Sequence, residues 1–452
     1  MIPKNIFRAY DIRGIYPTEL NEDVAFKIGQ AFGTFTHGRI VIGCDTRLSS
    51  PALKENLIKG IISTGSDVID IGMSSTPMTI FATRYLKCDG GVNVTASHNP
   101  KEYNGFKLYD KDAVPISYES GIEDIKKIFE SGEFKTGNGT IIVQNIKEDY
   151  IKFLFSNLKV QKPLDMSVVV DAGNGVAGLF LSEAFERLGV KVHALYCEPD
   201  GNFPNHAPDP SKPENIEDLQ KKVKEINADI GFAYDGDGDR LVVVDKNGKV
   251  IHVGVIFSLL IKNILAENPK SKVIYTPLDS KAIEDMIKNN DGIPILCRVG
   301  HTYITQKLLE EDAALAGEIS GHYYFKETFG ADDSLFTSLK LIEYLTKSNK
   351  TLADYENELP KYFSEVSEAN RFPIKESEKF PFIETLKTEF MINGYKVDTL
   401  DGVKVFFDDG WVLIRPSNTE AVISLSYESV SKEGFDRLKN FVNDIISRIP
   451  GD

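Results

Sequence analysis

The feature that most constrains the fold is an order of segments that occurs three times along the chain. Each time, a β-branched run ends in an acidic residue and small residues, at 39–47, 167–175 and 272–280. A helix-like stretch, a glycine and a second apolar run follow, at 65–72, 189–196 and 292–299, and then a third run, at 90–100, 228–240 and 313–322. Such continuous runs are typical of strands that helices cover on both faces. The order therefore predicts three doubly wound α/β units with right-handed crossovers.

The pattern changes near residue 369. From 395 to 429 apolar and polar residues alternate around D-G and D-D-G turn signals, which indicates antiparallel strands, and a closing helix is predicted at 432–448. The predicted domains are three α/β domains and one α+β domain, at 1–150, 151–253, 254–368 and 369–452. A turn-rich stretch at 132–140 predicts a hairpin.

Composition excludes several classes of partner. Lys and Arg number 52 against 67 Asp and Glu, a net charge of −15, and so acidic a surface repels nucleic acid and anionic lipid. The four cysteines lie far apart without a C-x-x-C pair, as is typical of a reducing compartment. We find neither a signal peptide nor an apolar run approaching the roughly 20 residues that span a bilayer. We expect a cytoplasmic monomer or small homo-oligomer that binds small molecules.

The strongest chemical signal is the sequence Asp235-Gly-Asp237-Gly-Asp239-Arg240. Three carboxylates at alternate positions can converge on one hard cation when glycines let the backbone coil tightly. An EF-hand loop would need Gly at its sixth position and Glu at its twelfth, where this chain has Arg240 and Lys246. The motif favours a Mg²⁺ site over a solvated acidic turn.

A second polar cluster, TASHNP at 95–100, ends the third apolar run of the first unit. Ser97 could act as a nucleophile, with His98 and Lys107 as proton carriers or phosphate contacts. The hydrolase motif G-x-S-x-G does not fit, because positions 95 and 99 are not glycine. Taken alone, this stretch is better explained as a turn.

Two further clusters are GEISGH at 317–322 and RPSNTE at 415–420. Glu318 and Ser320 could share hydrogen bonds with neighbouring sugar hydroxyls, and Arg415 with the polar residues after it could hold a phosphate. Each cluster alone is better explained as a cap or a turn. Open α/β sheets bind ligands at the carboxyl ends of their strands, so we expect the loops of the three units to face one cleft.

A literal G-x-G-x-x-G, from Gly173 to Gly178, follows an apolar run. Glu198 lies 20 residues beyond Gly178, at the end of another apolar run. This is the dinucleotide-binding fingerprint in its usual context. Nothing else in the chain resembles a hydride-transfer site, and the aspartate motif has no role in one. We favour a tight strand-to-helix turn and keep a dinucleotide-dependent oxidoreductase as the alternative from another enzyme class.

Taken in series, VTASHNPKEYNGFK, YDGDGDR, GEISGH and RPSNTEA resemble the α-D-phosphohexomutase family, and within it the phosphomannomutase/phosphoglucomutase branch. The similarity extends to FRAYDIRG at 7–14 and GCDTR at 43–47, and so spans nearly the whole chain. It implies four domains arranged around a central cleft. It also implies reversible phosphoryl transfer between positions 1 and 6 of mannose phosphate, glucose phosphate or both. A phosphoserine enzyme, Mg²⁺ and a hexose 1,6-bisphosphate, as intermediate and activator, are implied with it.

The resemblance also implies roles for individual residues. Ser97 would carry the phosphoryl group, and Asp235, Asp237 and Asp239 would hold Mg²⁺ together with an oxygen of the phosphoserine. His98, Lys107 and Arg13 are expected to take part in catalysis. The residues expected to contact substrate are Arg240, His301, Glu318, Ser320 and His322, and those expected to hold the non-reacting phosphate are Arg415, Ser417, Asn418 and Thr419.

The chain departs from its relatives after the first apolar run of the third unit. Many bacterial phosphomannomutases have a lysine there, whereas this chain has Leu278 and Asp279, with Lys281 slightly later. Two alternatives would carry the same motifs. One is a phosphoglucosamine mutase, and the other is a sensor that binds sugar phosphates without turnover. The intact Ser97 and the three aspartates argue against the sensor.

Overall fold

The third apolar run of each unit forms a strand beside the first, and a further strand then runs back antiparallel to it. A computed structural model describes residues 6–160, 164–348, 350–366, 370–417 and 421–450. The sheet of the first unit has the order β1-β5-β4-β2-β3-β6. Its strands are β1 (Ile12–Ile15), β2 (Arg39–Cys44), β3 (Asp67–Met73), β4 (Gly90–Val94), β5 (Tyr103–Asp110) and β6 (Ile141–Val143). Its helices are α1 (Glu22–Thr36), α2 (Ser50–Ile62), α3 (Thr76–Tyr85) and α4 (Glu123–Ser131).

The second unit repeats this arrangement with the strand order β11-β10-β9-β7-β8. Its strands are β7 (Ser167–Asp171), β8 (Lys191–Leu195), β9 (Ile230–Tyr234), β10 (Leu241–Asp245) and β11 (Val250–Ile251). Its helices are α5 (Lys147–Ser156), α6 (Leu181–Leu188) and α7 (Glu217–Ile226).

The third unit has the strand order β13-β12-β14-β15. Its strands are β12 (Lys272–Tyr275), β13 (Ile293–Leu296), β14 (Leu315–Gly317) and β15 (Tyr323–Phe325). Its helices are α8 (Val253–Glu267), α9 (Lys281–Asn289), α10 (His301–Glu310), α11 (Ser334–Ser348) and α12 (Leu352–Glu358).

The C-terminal unit is an antiparallel sheet with helices, as the alternating pattern predicts. The order is β16-β21-β20-β19-β18, and β17 pairs with β21. Its strands are β16 (Phe363–Glu365), β17 (Arg371–Pro373), β18 (Lys396–Asp398), β19 (Val403–Phe407), β20 (Gly410–Pro416) and β21 (Val422–Ser429). Its helices are α13 (Glu376–Ile392) and α14 (Lys432–Ser447).

All three α/β sheets share one topology. The first strand lies between the second and the third, and these three run parallel. A fourth strand, β5, β10 or β15, pairs antiparallel with the third. The repeated α/β architecture is confirmed, whereas the antiparallel fourth strand was not predicted. Each polar cluster of the α/β units occupies the turn between the third and fourth strands.

The hairpin predicted at 132–140 is wrong. Gly132 caps α4 in a left-handed conformation, and the following residues lie against the end of α2 through backbone bonds such as Gly137 N to Ser63 O. The chain then enters β6, which pairs parallel with β3. Glycines in this stretch allow close backbone contact with the edge of the sheet rather than a reversal.

Apolar side chains from all three α/β units pack into one buried cluster. Val41 of the first unit, Phe232 of the second and Leu339 of the third belong to it. The C-terminal unit has a separate core around Leu386 and Val412. The first three sheets are therefore held relative to one another by shared packing, which fixes the turns that carry the polar clusters. Across the described ranges, every helix is too short or too polar to cross a bilayer.

Candidate active site

Ser97 lies in the turn after β4, buried against the second unit. Its Oγ donates to Asp235 Oδ2 at 2.7 Å and lies 3.1 Å from His98 Nδ1. Its backbone has a φ of +51°, which a residue with a side chain adopts only where the surroundings impose it. The backbone N of Ser97 donates to Thr95 Oγ1 at 2.9 Å. The turn therefore presents the hydroxyl to the aspartate motif of the neighbouring unit.

The aspartate motif forms a tight coil between β9 and β10. Asp235 Oδ1 accepts hydrogen bonds from three successive backbone N–H groups at 3.0–3.2 Å, those of Gly238, Asp239 and Arg240. Gly238 has a φ of +74°. A Cβ at Gly236 would lie 2.6 Å from the Ser97 carbonyl oxygen. Both glycines are needed, one for the coil and one for the close approach of the two turns.

Lys107, on β5, joins the first unit to this coil. Its Nζ donates to Asp237 Oδ2 at 2.7 Å and to Asp239 Oδ2 at 2.5 Å. Burial opposes the charge of Lys107, but the two carboxylates outweigh it and raise its pKa well above the usual value. Thr76 Oγ1 donates to the same Asp237 Oδ2 at 2.6 Å. The lysine is thus permanently charged within the site.

The three carboxylates suit a divalent cation with a preference for oxygen. Their ligand atoms lie within 4.8 Å of one another, and the buried Oδ1 atoms of Asp237 and Asp239 have no hydrogen-bond partner. Burial, followed by the charges of Asp239 and Asp237, raises the pKa of Asp235. An unpaired buried carboxylate oxygen is costly unless a cation or donor faces it. The donor set fits Mg²⁺, which binds through carboxylates and phosphate oxygens.

The turn between β14 and β15 presents Glu318 and His322 to the same cleft. Glu318 Oε2 accepts from the hydroxyl of Tyr324 at 2.7 Å, and its Oε1 accepts from Gly300 N at 3.2 Å. His322 Nδ1 lies 2.8 Å from Ser320 Oγ. The bonds to Tyr324 and Gly300 hold the carboxylate of Glu318 at the end of the third sheet.

His322 links this turn to the aspartate motif. Its Nε2 accepts from Arg240 Nε at 3.3 Å and lies 3.4 Å from Asp239 Oδ1. Burial opposes the ionisation of Asp239, but the charge of Lys107 outweighs it and holds the pKa of Asp239 well below the usual value. The second and third units therefore meet at a network of charged groups.

Two further histidines lie at the edge of the cleft in neutral form. Burial, followed by the charges of Arg240 and Arg13, holds the pKa of His98 well below its usual value. Burial, with Lys107 as the next cause, lowers the pKa of His301 to about 3. Each ring is therefore neutral near pH 7 and can accept a hydrogen bond from a hydroxyl.

Arg13, on β1, contacts the turn that carries Ser97. Its Nη1 donates to Asn99 Oδ1 at 2.7 Å, and its Nη2 pairs with Asp11. Tyr10 packs edge-on against His301, with the ring centroids 5.6 Å apart. The segment 10–13 therefore lies between the first and third units.

The C-terminal unit brings Arg415 to the third unit. Arg415 Nε donates to Asp401 Oδ2 at 2.8 Å, and the same oxygen accepts from Val299 N at 3.1 Å. Ser417 N donates to Val422 O at 3.0 Å, and Ser417 O accepts from Lys379 Nζ at 2.8 Å. Asn418 and Thr419 lie outside the described residues.

The predicted site residues of the three α/β units lie close together where these units meet. Ser97 and Lys107 contact the aspartate motif directly, Arg240 and His322 join the second and third units, and Arg415 is tied to the segment before His301. Sequence reasoning missed several residues that hold this arrangement: Asp45, Arg47, Thr76, Tyr324 and Asp401. Asp45 and Arg47 follow β2, and the carboxyl end of a first strand is a signal that could have identified them.

Lys281 lies outside this network. Its Nζ pairs with Asp285 Oδ1 at 2.6 Å on the outer face of α9, and its backbone N donates to Glu428 Oε1 at 2.9 Å. The ammonium group that reaches the turn after β12 belongs to Lys404, whose Nζ donates to Pro277 O at 2.9 Å. The ammonium group of Lys281 is therefore engaged on α9 rather than at the aspartate motif.

The glycine-rich segment from 173 to 178 forms the tight turn that we favoured. Three backbone N–H groups that would face a pyrophosphate donate instead to protein carbonyls at 2.7–3.1 Å: Asn174 to Tyr196, Gly175 to Ala172 and Val176 to Gly236. A Cβ at Gly178 would lie 2.0 Å from the Cys197 carbonyl oxygen. Dinucleotide cradles need free N–H groups at a helix N-terminus, so this segment does not support the oxidoreductase alternative.

Four domain families match the chain in series. They are described as phosphoglucomutase/phosphomannomutase alpha/beta/alpha domain I, II and III and the phosphoglucomutase/phosphomannomutase C-terminal domain. They match residues 4–136, 148–248, 254–363 and 375–445. Together they cover most of the chain and correspond to the three repeated units and the antiparallel unit.

Full-length relatives carry the same names. The chain is 38% identical over 444 residues to a phosphomannomutase/phosphoglucomutase of Pseudomonas aeruginosa, covering 97% of this chain and 94% of the relative. It is 37% identical over 458 residues to a phosphoglucomutase of Neisseria gonorrhoeae, covering 99% and 98%. A crystal structure of a phosphoglucomutase/phosphomannomutase family protein from Burkholderia thailandensis matches with a TM-score of 0.91 and 35% identity, covering 99% of this chain and 98% of that one.

Proposed function

The chain belongs to the phosphoglucomutase/phosphomannomutase family, and we propose that it moves a phosphoryl group reversibly between positions 1 and 6 of a hexose phosphate. The observation that carries this proposal is the contact of Ser97 Oγ with Asp235 Oδ2 at 2.7 Å. It brings a hydroxyl nucleophile to a cluster of three carboxylates that fits Mg²⁺. Phosphoryl transfer needs this combination, because its main demands are positioning and neutralisation of negative charge.

The reaction begins with a phosphoryl group on Ser97. A free hydroxyl of the hexose monophosphate attacks the phosphorus, the new P–O bond forms and the bond from phosphorus to Ser97 Oγ breaks. The product is a hexose 1,6-bisphosphate. It turns around in the cleft, and Ser97 Oγ then attacks the other phosphoryl group. The new bond from phosphorus to Ser97 Oγ forms and the bond from that phosphorus to the sugar oxygen breaks, which releases the isomeric hexose monophosphate and leaves Ser97 phosphorylated again. Over the cycle the proton leaving each attacking hydroxyl balances the proton gained by each released oxygen.

Asp235, Asp237 and Asp239, with an oxygen of the phosphoserine, would hold Mg²⁺. When bound, the ion supplies positive charge for the transferring phosphoryl oxygens. Lys107 and Arg240 add fixed positive charge from two different units. With a divalent ion bound, these two cations would help to offset the charge of the three carboxylates, so that a dianionic substrate meets less repulsion.

The remaining groups bind the sugar. Glu318 and Ser320 would accept and donate hydrogen bonds to its hydroxyls, with His322 beside them. Arg415 and Ser417, together with Asn418 and Thr419, would hold the phosphate that is not reacting. His98 and His301 are neutral near pH 7 and suit contacts with hydroxyl groups. Both ends of the sugar must fit the same subsites, so the phosphate group is held by a separate unit from the reacting centre.

The same reasoning extends to organisation and location. We propose the domain limits 1–150, 151–253, 254–368 and 369–452. A hexose 1,6-bisphosphate would serve as activator by phosphorylating Ser97. We also propose that the protein acts in the cytoplasm, a reducing compartment that suits its four free thiols. The proposed assembly is a monomer or a small homo-oligomer.

The test is turnover of glucose 1-phosphate, mannose 1-phosphate and glucosamine 1-phosphate side by side, with Mg²⁺ and a trace of hexose 1,6-bisphosphate. We expect 6-phosphate products from glucose, from mannose or from both. Reaction of glucosamine 1-phosphate alone would assign the chain to a different branch. Binding of all three without product would support a sensor, and no binding would contradict the proposal.

A further inference from the structure

Arg47 is buried against the turn at 97–103, which begins with Ser97. It follows β2, is 1% exposed and makes a hydrogen bond with every N–H of its guanidinium group. Nε donates to Asp45 Oδ2 at 3.0 Å. The four remaining N–H groups donate to backbone carbonyl oxygens at 2.6–2.9 Å: Nη1 to Pro100 and Tyr103, Nη2 to Ser97 and Asn99.

Only arginine can make this set of contacts. Its planar fork carries five donors in fixed directions, whereas a lysine has three donors on a single nitrogen. The four carbonyls belong to one segment, 97–103, which contains Ser97 and leads into β5. Arg47 therefore fixes the path of the whole turn rather than a single residue.

Asp45 holds the guanidinium group in place. Its Oδ1 accepts from Ser50 Oγ at 2.6 Å and from the backbone N of Arg47 at 3.0 Å. Its Oδ2 accepts from Thr95 Oγ1 at 2.7 Å. Thr95 Oγ1 in turn accepts from the backbone N of Ser97. The turn is thus held at its first residue from both sides, by its carbonyl through Arg47 and by its N–H through Thr95.

The hydrogen bonds to the carbonyl and N–H of Ser97 explain its left-handed backbone conformation. A left-handed conformation is unfavourable for a residue other than glycine, so it persists only when surrounding bonds impose it. The bonds to the Ser97 carbonyl and N–H impose it here, and they turn the hydroxyl towards Asp235. The positive charge of Arg47 also compensates the partial negative charge of four carbonyls close to a phosphoryl group.

We propose that Arg47 is a positioning residue for phosphoryl transfer, acting through the backbone of the turn 97–103 without touching substrate. The inference rests on the proposed function, because the group positioned is the phosphoryl-carrying Ser97. Misplacement of a reacting atom by about 1 Å can reduce a rate about 100-fold. The loss should therefore appear in kcat, while substrate binding stays intact.

The test compares Arg47→Lys with the wild-type enzyme. Label from a ³²P-hexose 1,6-bisphosphate counts the phosphorylated sites, and kcat is expressed per labelled site. We expect kcat per site to fall about 10- to 100-fold, with KM for glucose 1-phosphate within about twofold. Single-turnover transfer from the labelled enzyme to glucose 1-phosphate should slow by the same factor.

Arg84→Lys is the matched control, because Arg84 is a surface arginine of the same unit that pairs with Asp112 at 2.6 Å, away from the cleft. Asp45→Asn is a second variant. It keeps all five N–H donors of Arg47 but weakens the contact that holds the guanidinium group at Asp45. It should also lower kcat, by a smaller factor than Arg47→Lys.

A fall in labelled sites with unchanged kcat per site would show that Arg47 serves folding only and would overturn the inference. So would a rise in KM with unchanged kcat. If the wild-type enzyme neither takes up label nor turns over hexose phosphates, the proposed function itself has failed, which is a separate outcome. If Arg47→Lys does not fold, Asp45→Asn decides by the same two measurements.

Discussion

Ser97 Oγ and Asp235 Oδ2 lie 2.7 Å apart, although the two residues are 138 positions apart and belong to different units. The contact exists because the turns after β4 and β9 meet where two sheets face each other. Gly236 makes the approach close enough, since any larger residue there would collide with the Ser97 carbonyl. The nucleophile and the carboxylate cluster are therefore complementary halves of one site.

Replacement of Ser97 by alanine should abolish turnover while leaving the fold intact. The Oγ atom is the proposed carrier of the phosphoryl group, and no other described hydroxyl contacts Asp235 Oδ2. We expect kcat to fall by at least about three orders of magnitude, measured as formation of glucose 6-phosphate from glucose 1-phosphate. Label from a ³²P-bisphosphate should no longer enter the protein.

Ser156→Ala provides the matched control, because Ser156 is an exposed serine at the end of α5 whose Oγ donates to Phe153 O at 2.7 Å. It should keep activity and labelling. Thermal unfolding followed by tryptophan fluorescence should give the same Tm for both variants. Near-normal turnover by Ser97→Ala would contradict the phosphoserine mechanism.

Asp237→Asn should weaken activation by Mg²⁺ and lower turnover together. Asp237 Oδ1 has no hydrogen-bond partner, while Oδ2 accepts from Lys107 and Thr76. Removing this charge leaves Lys107 with one carboxylate fewer and removes a hard ligand. Activity measured against Mg²⁺ concentration should show a half-saturation value raised at least about tenfold, which corresponds to about 1.4 kcal/mol of binding free energy.

Asp312→Asn is the control for general charge effects, since Asp312 pairs with Lys326 at 2.6 Å on the surface. Its Mg²⁺ response should match that of the wild-type enzyme. An unaltered response in Asp237→Asn would place the metal elsewhere.

Local sequence pattern was sufficient to place the polar clusters of the α/β units at strand ends, whereas the roles of Ser97 and Glu318 were predicted only from the resemblance to a family. Ser97, Glu318 and the three aspartates stand out because each cluster interrupts an apolar run, and such runs end at the carboxyl edge of a sheet. The repeated order of segments then predicts that these edges belong to similar units. Both inferences depend on local pattern, which a sequence displays directly.

The supporting groups could not be found in the same way. Thr76 begins α3, where a threonine is an ordinary residue, yet its hydroxyl contacts Asp237, 161 positions away. Arg47 lies within the GCDTR segment, but its four carbonyl partners depend on how the turn 97–103 folds back. Asp401 belongs to the C-terminal unit, and its carboxylate accepts a hydrogen bond from Val299 N of the third unit. Each of these roles depends on tertiary placement, which spacing along the chain does not encode.

Asp401→Ala should weaken substrate binding more than it slows the chemical step. One carboxylate oxygen accepts from Arg415 Nε and from Val299 N, so Asp401 orients the proposed phosphate ligand and ties its unit to the segment before His301. Hydrogen bonds to charged groups contribute about 1.5–3 kcal/mol. We expect KM for glucose 1-phosphate to rise at least about tenfold, with kcat changed less than about threefold.

Asp408→Ala, an exposed aspartate in the next turn of the same sheet, is the control and should leave both constants unchanged. Equal kinetics for Asp401→Ala and the wild-type enzyme would show that Arg415 does not need this partner. A fall in kcat alone would place Asp401 in the chemical step instead.

Lys404 should make stability depend on pH in the alkaline range. Its side chain is 8% exposed, and its Nζ lies 3.8 Å from the ring centre of Trp411, the one tryptophan of the chain. Burial lowers the pKa of Lys404 to about 8, although Glu428 and Asp279 act in the opposite direction.

Between pH 8 and its ordinary pKa of about 10.4, the unfolded chain therefore binds more protons at this position than the folded protein. The free energy of unfolding should rise with pH by this contribution, by about 2 kcal/mol from pH 7.5 to 9.5. Lys404→Met lacks the contribution, so the stability of the wild-type protein relative to the variant should increase by that amount over the same interval. Urea unfolding of both proteins at the two pH values, followed by circular dichroism, measures this difference. A constant difference would show that Lys404 keeps its ordinary pKa despite burial beside Trp411.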